Sequence, residues 1–316
     1  MRARITPQIY LCGVRSSGQR HAAVVHWYLW HHEPFGRVHP FARASSVRAA
    51  EQPVAAPAGT GKVRELLVSD GPSAWQGAGF VVEGVETAAS PVVRVGRDFN
   101  IYLNCRVRRA RGIVGWGLHS VPTFGAAATA DTADNAATTA AGDADYDIDG
   151  ITTYIVPGAK ACAAPAAPAQ QRALHPNGAI GVDHVVVRSG DWVRTHAALA
   201  RHGFSLRRRR DDVYPGITQL FYRPGNSHSN CGPIVELIAP SKPISDDIAA
   251  PTPTAFLWGV TFVVKDIVAA KNWLGDRAGD VRDAVQPGRQ IFVLRHGHTD
   301  VNSSVNIAFM TPHEKV

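Results

Sequence analysis

The apolar and polar positions of this 316-residue chain fall into a motif that recurs. The sequence reads VRELLVSD from Val63 to Asp70, HVVVRSGD from His184 to Asp191, and GVTFVVKD from Gly259 to Asp266. Each stretch is mainly apolar, of strand length, and ends in an aspartate. Such a run predicts a buried β-strand. The aspartate predicts a helix N-cap, because its carboxylate can accept the unpaired N–H groups of a first helical turn. Short amphipathic segments follow, namely AWQGAGF, HAALARHGF and AAKNWLG, each with a glycine near its end.

Further strand candidates complete the later units. FSLRRRR, ITQLFYRPG and PIVELIAP follow the second start, and DVRDAV, RQIFVLRHG and VNIAFMTP follow the third. Each unit is expected to be strand–helix–strand–strand–strand. One such unit cannot bury its own sheet, so the units are expected to pair. A fourth, degraded unit is placed at GWGLHSV (Gly115–Val121), set parallel to LWGVTFVV (Leu257–Val264), and ends near DGITTYIV. That alignment puts Trp116 and Trp258 at matching points. The expected fold class is α+β, with tandem paired βαβββ modules and a degenerate N-terminal pair.

Composition sets the boundaries. Residues 1–60 are expected to be a disordered or targeting leader, since residues 1–50 hold seven arginines, no lysine and one acid, Glu33. Most of the net charge of +7 therefore lies there and not on the repeats, which argues against a nucleic-acid-binding fold. An acid-poor, Arg-rich leader has the composition of an organellar transit peptide, so the protein is expected to be intracellular, mitochondrial if the leader is read and otherwise cytoplasmic. Its apolar run is too short to span a bilayer. Residues 61–156 form the degenerate module pair, interrupted by the low-complexity tract 125–145, and residues 157–177 are an Ala/Pro linker. Residues 178–316 form the second pair. Four scattered cysteines without close spacing point away from a disulfide framework or thiolate zinc site.

The stretches GVDHVVVRSGD, PIVELIAP, FLWGVTFVVKD, AVQPGRQIFVLR and VNIAFMTP, in this order and spacing, resemble the vicinal oxygen chelate superfamily of glyoxalase, bleomycin-resistance and dioxygenase type. The resemblance covers 178–312 well and 61–156 more loosely. It implies a cleft between facing modules, with metal ligands at the start of the first strand and on the last strand of each. Those positions carry His184, Glu236, Gly259 and Ala308. The first two can bind zinc, iron or manganese, and the last two cannot. Gln219, Tyr222 and His298 are candidates for a third ligand. The plainer reading has His184 and Glu236 hydrogen-bonded to each other or to water. A glutamate within an apolar strand is costly to bury unpaired, and Glu236 is the candidate catalytic base.

Gln219, Phe221, Tyr222 and Trp258 are expected to line the substrate pocket. What the resemblance implies is binding of a small organic molecule, with metal-assisted lyase, isomerase or dioxygenase chemistry on vicinal oxygens. The other reading is a metal-free binding protein of the same fold, monomeric or homodimeric, with no membrane or nucleic-acid partner. LRHGHTDVN (Leu294–Asn302) is similar to a histidine-phosphatase signature, but too little chain follows to build that domain. APAGTGK (Ala56–Lys62) lacks the spacing and the hydroxyl of a phosphate-binding loop. The run Arg207–Arg210 is expected to be a solvated strand end.

Overall fold

The computed structural model describes residues 62–86, 90–105, 111–119, 146–156, 174–224, 232–242, 254–295 and 302–313. The leader, the tract 125–145, the linker up to residue 173 and most of LRHGHTDVN lie outside the described residues. The N-terminal repeats give β1 (Lys62–Val68), α1 (Pro72–Gly77), β2 (Val92–Val95), β3 (Phe99–Tyr102), β4 (Ile113–His119), β5 (Tyr146–Ile148) and β6 (Ile151–Val156). The C-terminal repeats give β7 (Ala179–Arg188), α2 (Trp192–Arg201), β8 (Phe204–Tyr214), β9 (Ile217–Pro224) and β10 (Ile234–Pro240). They continue with β11 (Phe256–Val264), α3 (Ile267–Leu274), β12 (Arg282–Asp283), β13 (Gln290–Val293) and β14 (Asn306–Met310). The second half is thus βαβββ twice. In the first half each module is shorter, and among the described residues the second has no helix.

Two mixed sheets result. The six-stranded sheet has the order β2-β3-β1-β4-β6-β5, and the eight-stranded one β12-β13-β14-β11-β7-β10-β9-β8. In both, the opening strands of the two modules pair antiparallel at the centre, and each module's last strand lies parallel to its own first. The sheets share one core. Phe80 meets Phe262 at 4.6 Å between ring centroids, Trp75 meets Phe262 edge-on at 6.3 Å, and Trp116 stacks on Phe204 at 5.5 Å. The buried Trp116 indole donates to Thr153 Oγ1 at 2.8 Å, so its N–H is satisfied without water. Gly79, at φ +82°, lets the chain run against α3, because a Cβ there would lie 2.4 Å from the Trp273 ring.

The expected caps form at two of three sites. Asp191 accepts from the Val193 and Arg194 amides at 2.9 and 3.1 Å, and Asp266 caps α3 in the same way. Asp70 does not cap. Gly71 takes that position ahead of Pro72, whose fixed φ suits a first turn and whose missing N–H removes one of the donors a first turn leaves unpaired. The Asp70 carboxylate instead accepts from Ser303 Oγ and the Ser304 amide, both at 2.9 Å, tying β1 to the segment before β14. Asp191→Ala should therefore cost about 1 kcal/mol in chemical denaturation. A loss within error would show that solvent serves the two amides equally well.

The same two irregularities occur in both sheets. Between β7 and β11, Val182 pairs with Phe262 and His184 with Thr261, which leaves Asp183 as an extra residue. Between β1 and β4, Val63 pairs with Leu118 and Glu65 with Gly117, which leaves Arg64 extra. Further along, Trp258 and Val114 are extra in the facing strands. Aligned on these bulges, Glu65 takes the place of His184, Gly117 that of Thr261, and Val114 that of Trp258. Trp116 consequently matches Val260 and not Trp258, a correction of two residues. A two-residue slip keeps every side chain on the same face, so alternation in the sequence is blind to it.

Candidate functional site

The bulge at Asp183 makes the site. In a regular strand, neighbours such as Asp183 and His184 point to opposite faces. A bulge sets two residues against one and re-aims side chains. Here it brings Asp183 Oδ2 to 2.8 Å from His184 Nδ1. On its other oxygen, Asp183 accepts from Arg289 Nη2 at 2.6 Å. The Arg289 side chain is only 2% exposed. Its remaining donors go to the Thr311 carbonyl at 2.8 and 2.6 Å and to Gln286 Oε1 at 2.5 Å.

Beyond the imidazole the chain of contacts continues. His184 Nε2 lies 2.8 Å from Thr261 Oγ1 and 3.3 Å from Glu236 Oε2. Glu236 Oε1 accepts from Gln219 Nε2 at 3.0 Å. Residues from the turn before β13 and from β7, β10 and β9 thus form one relay, Arg289–Asp183–His184–Glu236–Gln219. It lies on the sheet face away from α2.

The relay sorts the protons. Burial alone would raise the Asp183 carboxyl, but the His184 hydrogen bond and charge, with Arg289, outweigh it and hold Asp183 well below the usual carboxylate range. Burial works against a charged His184, yet the hydrogen bond to Asp183 and the charges of Glu236 and Asp183 raise its pKa overall. Glu236 is raised, first by burial and then by Asp183, with His184 opposing. His184 and Glu236 therefore titrate as a coupled pair beside an Asp183 held in its anionic form. Burial and then the Glu236 charge also raise the Tyr214 phenol.

Two buried polar atoms beside this relay have no hydrogen-bond partner among the described residues, Gln219 Oε1 and Arg210 Nη1. Arg210 is the cross-strand neighbour of Gln219 and shares its face. Its side chain is half-buried, so the expectation of a solvated strand end through Arg210 is corrected. Alternation puts Arg208 and Arg210 on this face, and of the two Arg208 is exposed and Arg210 half-buried.

Of the residues singled out from the sequence, His184, Glu236 and Gln219 come together. Phe221 is the cross-strand neighbour of Glu236 and stands on the same face. Trp258, half-buried, sits at its bulge with the Arg188 guanidinium 5.6 Å from the ring centroid. Tyr222 lies apart. It faces α2 with its hydroxyl 3.0 Å from His196 Nδ1, because alternation along β9 turns it away from Gln219 and Phe221. His298 lies outside the described residues. Gly259 stands to Ala308 in the second module's register as His184 stands to Glu236 in the first, and the residue directly opposite His184 across the central pair is Thr261. At Gly259 a Cβ would come within 2.6 Å of the Asn306 carbonyl. Asp183, Arg289, Thr261 and Arg210 were not legible as site residues. Only the adjacency of Asp183 to His184 could have drawn attention to one of them.

The resemblance implies a divalent ion, and the donor set can be tested for one. His184 and Glu236 are sound ligands, Thr261 offers a weak neutral hydroxyl, and Ala308, paired with Thr261 in register, offers none. A zinc set or facial triad needs a third strong ligand. Among the described residues no three His, Cys, Asp or Glu side chains form a metal-holding group. The described residues do not fit a resident zinc, iron or manganese ion.

Two side-by-side βαβββ modules, with their first strands antiparallel at the centre, give the C-terminal half the paired-module, glyoxalase-like fold. No protein-family model matches the chain, and no curated protein matches it significantly. Among solved structures, methylmalonyl-CoA epimerase from Mycobacterium tuberculosis is similar at 18% identity over 45% of this chain and 95% of its own, with a TM-score of 0.34. A xylose isomerase-like TIM barrel/4-hydroxyphenylpyruvate dioxygenase fusion protein is 14% identical over 84% of this chain and 52% of its own, with a TM-score of 0.49. A mutant 4-hydroxymandelate synthase from Streptomyces coelicolor is 14% identical over 80% and 93%, with a TM-score of 0.47. Among the described residues no helix is long and apolar enough to cross a membrane.

Proposed function

We propose that the Glu236 face of the C-terminal sheet binds a small organic acid, and that the Glu236–His184 pair exchanges a proton with it. The observation that carries this reading is the buried, unpartnered Arg210 Nη1, next to Gln219 on the same face. The open Gln219 Oε1 is an acceptor and calls for a donor, such as a hydroxyl on the same ligand. A buried guanidinium N–H without an acceptor is costly, and a ligand carboxylate is its best-matched partner. The other half of the face supplies an apolar wall from Ala308, Val293 and Ile291, which suits the body of such a ligand.

Glu236 has the environment of a general base. It is buried, burial raises its pKa, and its proton can pass to an imidazole 3.3 Å away. The reaction class this supports is an isomerase or lyase step that begins with removal of a proton next to a carbonyl group. A second reading, binding without chemistry, is favoured by one observation: both Glu236 oxygens already hold partners in Gln219 and His184.

Calorimetric titration with 2-oxo acids, 2-hydroxy acids and aryl-substituted acids tests the binding step. At least one class should bind, and Arg210→Met should weaken it about 10- to 100-fold, the value of one charge-assisted hydrogen bond. An affinity that Arg210→Met leaves unchanged, or no acid bound at millimolar concentration, would sink the reading.

A further inference from the structure

The six-stranded sheet repeats the bulge that makes the site in its partner, with different chemistry in the equivalent places. Glu65 takes the position of His184, as the shared registers show. In the parallel pairing, Glu65 lies opposite Asn100 and His184 opposite Ile234; two residues on, Tyr102 takes the position of Glu236. The bulge residues carry opposite charges, and each meets a counter-ion. Arg64 pairs with Asp98 at 2.5 Å, where Asp183 pairs with Arg289 at 2.6 Å.

At the centre of this face Glu65 Oε1 lies 3.1 Å from His119 Nε2, and each side chain is 14% exposed. Gly117 makes that approach possible, because a Cβ there would lie 2.8 Å from Glu65 Oε2 and 2.9 Å from Glu65 Cβ. Tyr102 pairs in register with Leu67, two residues from Glu65, and so stands on the face of Glu65. Its phenol is raised first by burial and then by the Glu65 charge. His119 Nδ1 is buried and has no hydrogen-bond partner among the described residues. A buried imidazole nitrogen left open beside a carboxylate asks for a group that can donate or accept.

We propose that this face is a second small-molecule site, distinct from the acid site and built on Glu65, His119 and Tyr102. It takes a hydroxylated neutral ligand or an amino alcohol. A hydroxyl group answers His119 Nδ1 in either protonation state, and the Glu65 carboxylate accepts a second O–H or an ammonium N–H. The carboxylate disfavours anions here, so the two faces select ligands of different charge. The assignment does not depend on the acid-binding reading.

The test uses the full chain with 13C-labelled histidine, followed by NMR while glycerol, myo-inositol and ethanolamine are added separately. The expected result is a saturable shift of the His119 imidazole resonance with at least one probe. Glu65→Gln should weaken that binding tenfold or more, and Arg210→Met should leave it intact. Gly117→Ala, which pushes the carboxylate aside, gives the same readout if Glu65→Gln does not fold. A His119 resonance that no probe moves at tens of millimolar, or a shift that survives displacement of Glu65, would overturn the proposal and make the pair a structural ion pair.

Discussion

Asp183→Asn is expected to destabilise the fold by about 3–5 kcal/mol in urea unfolding at neutral pH. The substitution keeps the shape but removes the charge on which Arg289 and His184 both rest. Arg289 would then be a buried cation without a carboxylate, and that state, not the loss of a net-favourable pair, makes the cost large. The double variant Asp183→Asn, Arg289→Gln should accordingly be more stable than Asp183→Asn alone, because no charge is left stranded. A single-variant loss below about 1 kcal/mol would mean that water screens the pair after all.

The pH dependence follows from the directions of the three shifts. Asp183 is depressed from 3.8, so its contribution is present above that value and is lost as pH falls through its folded pKa. His184 is raised from 6.5, so its contribution is full below that value and is lost as pH rises through its folded pKa. Glu236 is raised from 4.5 and has the same sign as His184. Wild-type stability from this relay should therefore peak in mild acid and decline toward alkaline pH. Asp183→Asn should flatten both limbs.

Glu236→Gln is expected to abolish proton exchange while leaving ligand binding largely in place. Incubating the acids that bind in deuterated water, and following loss of the C–H signal next to the carbonyl by NMR, measures this directly. The wild type should exchange deuterium, and Glu236→Gln should do so about 10²- to 10⁴-fold more slowly, the usual share of a general base. Glutamine can still meet Gln219 and His184, so the fold should persist, and relief of a buried carboxylate should leave it no less stable at alkaline pH. Exchange that continues in the variant would remove Glu236 from the chemistry. Acids that bind the wild type without any exchange would leave the metal-free binding reading in its place.

The large features of the fold were legible because they rest on local patterns. HVVVRSGD and GVTFVVKD became β7 and β11, the aspartates at their ends became the caps of α2 and α3, and the strand candidates after them became the rest of each module. The N-terminal repeats were harder to read, since α1 is a single short helix and Asp70 serves a tertiary contact instead of a cap. His184, Glu236 and Gln219 could be chosen because a polar residue in an apolar strand demands a partner. Tyr222 was drawn in with them by proximity in the chain, and the two faces of β9 separate it from them.

By itself, then, the sequence determined the module order, the strand and helix starts, and the two ionisable residues at the centre of the eight-stranded sheet. Those follow from period, capping chemistry and the cost of burying charge, which act over a few residues. The tertiary structure decided the rest. Bulges at Asp183 and Arg64 are relations between strands, as are the register that puts Thr261 opposite His184 and the turn that delivers Arg289. A one-residue insertion in a pairing has no signature in alternation, because only the partner strand defines what is extra.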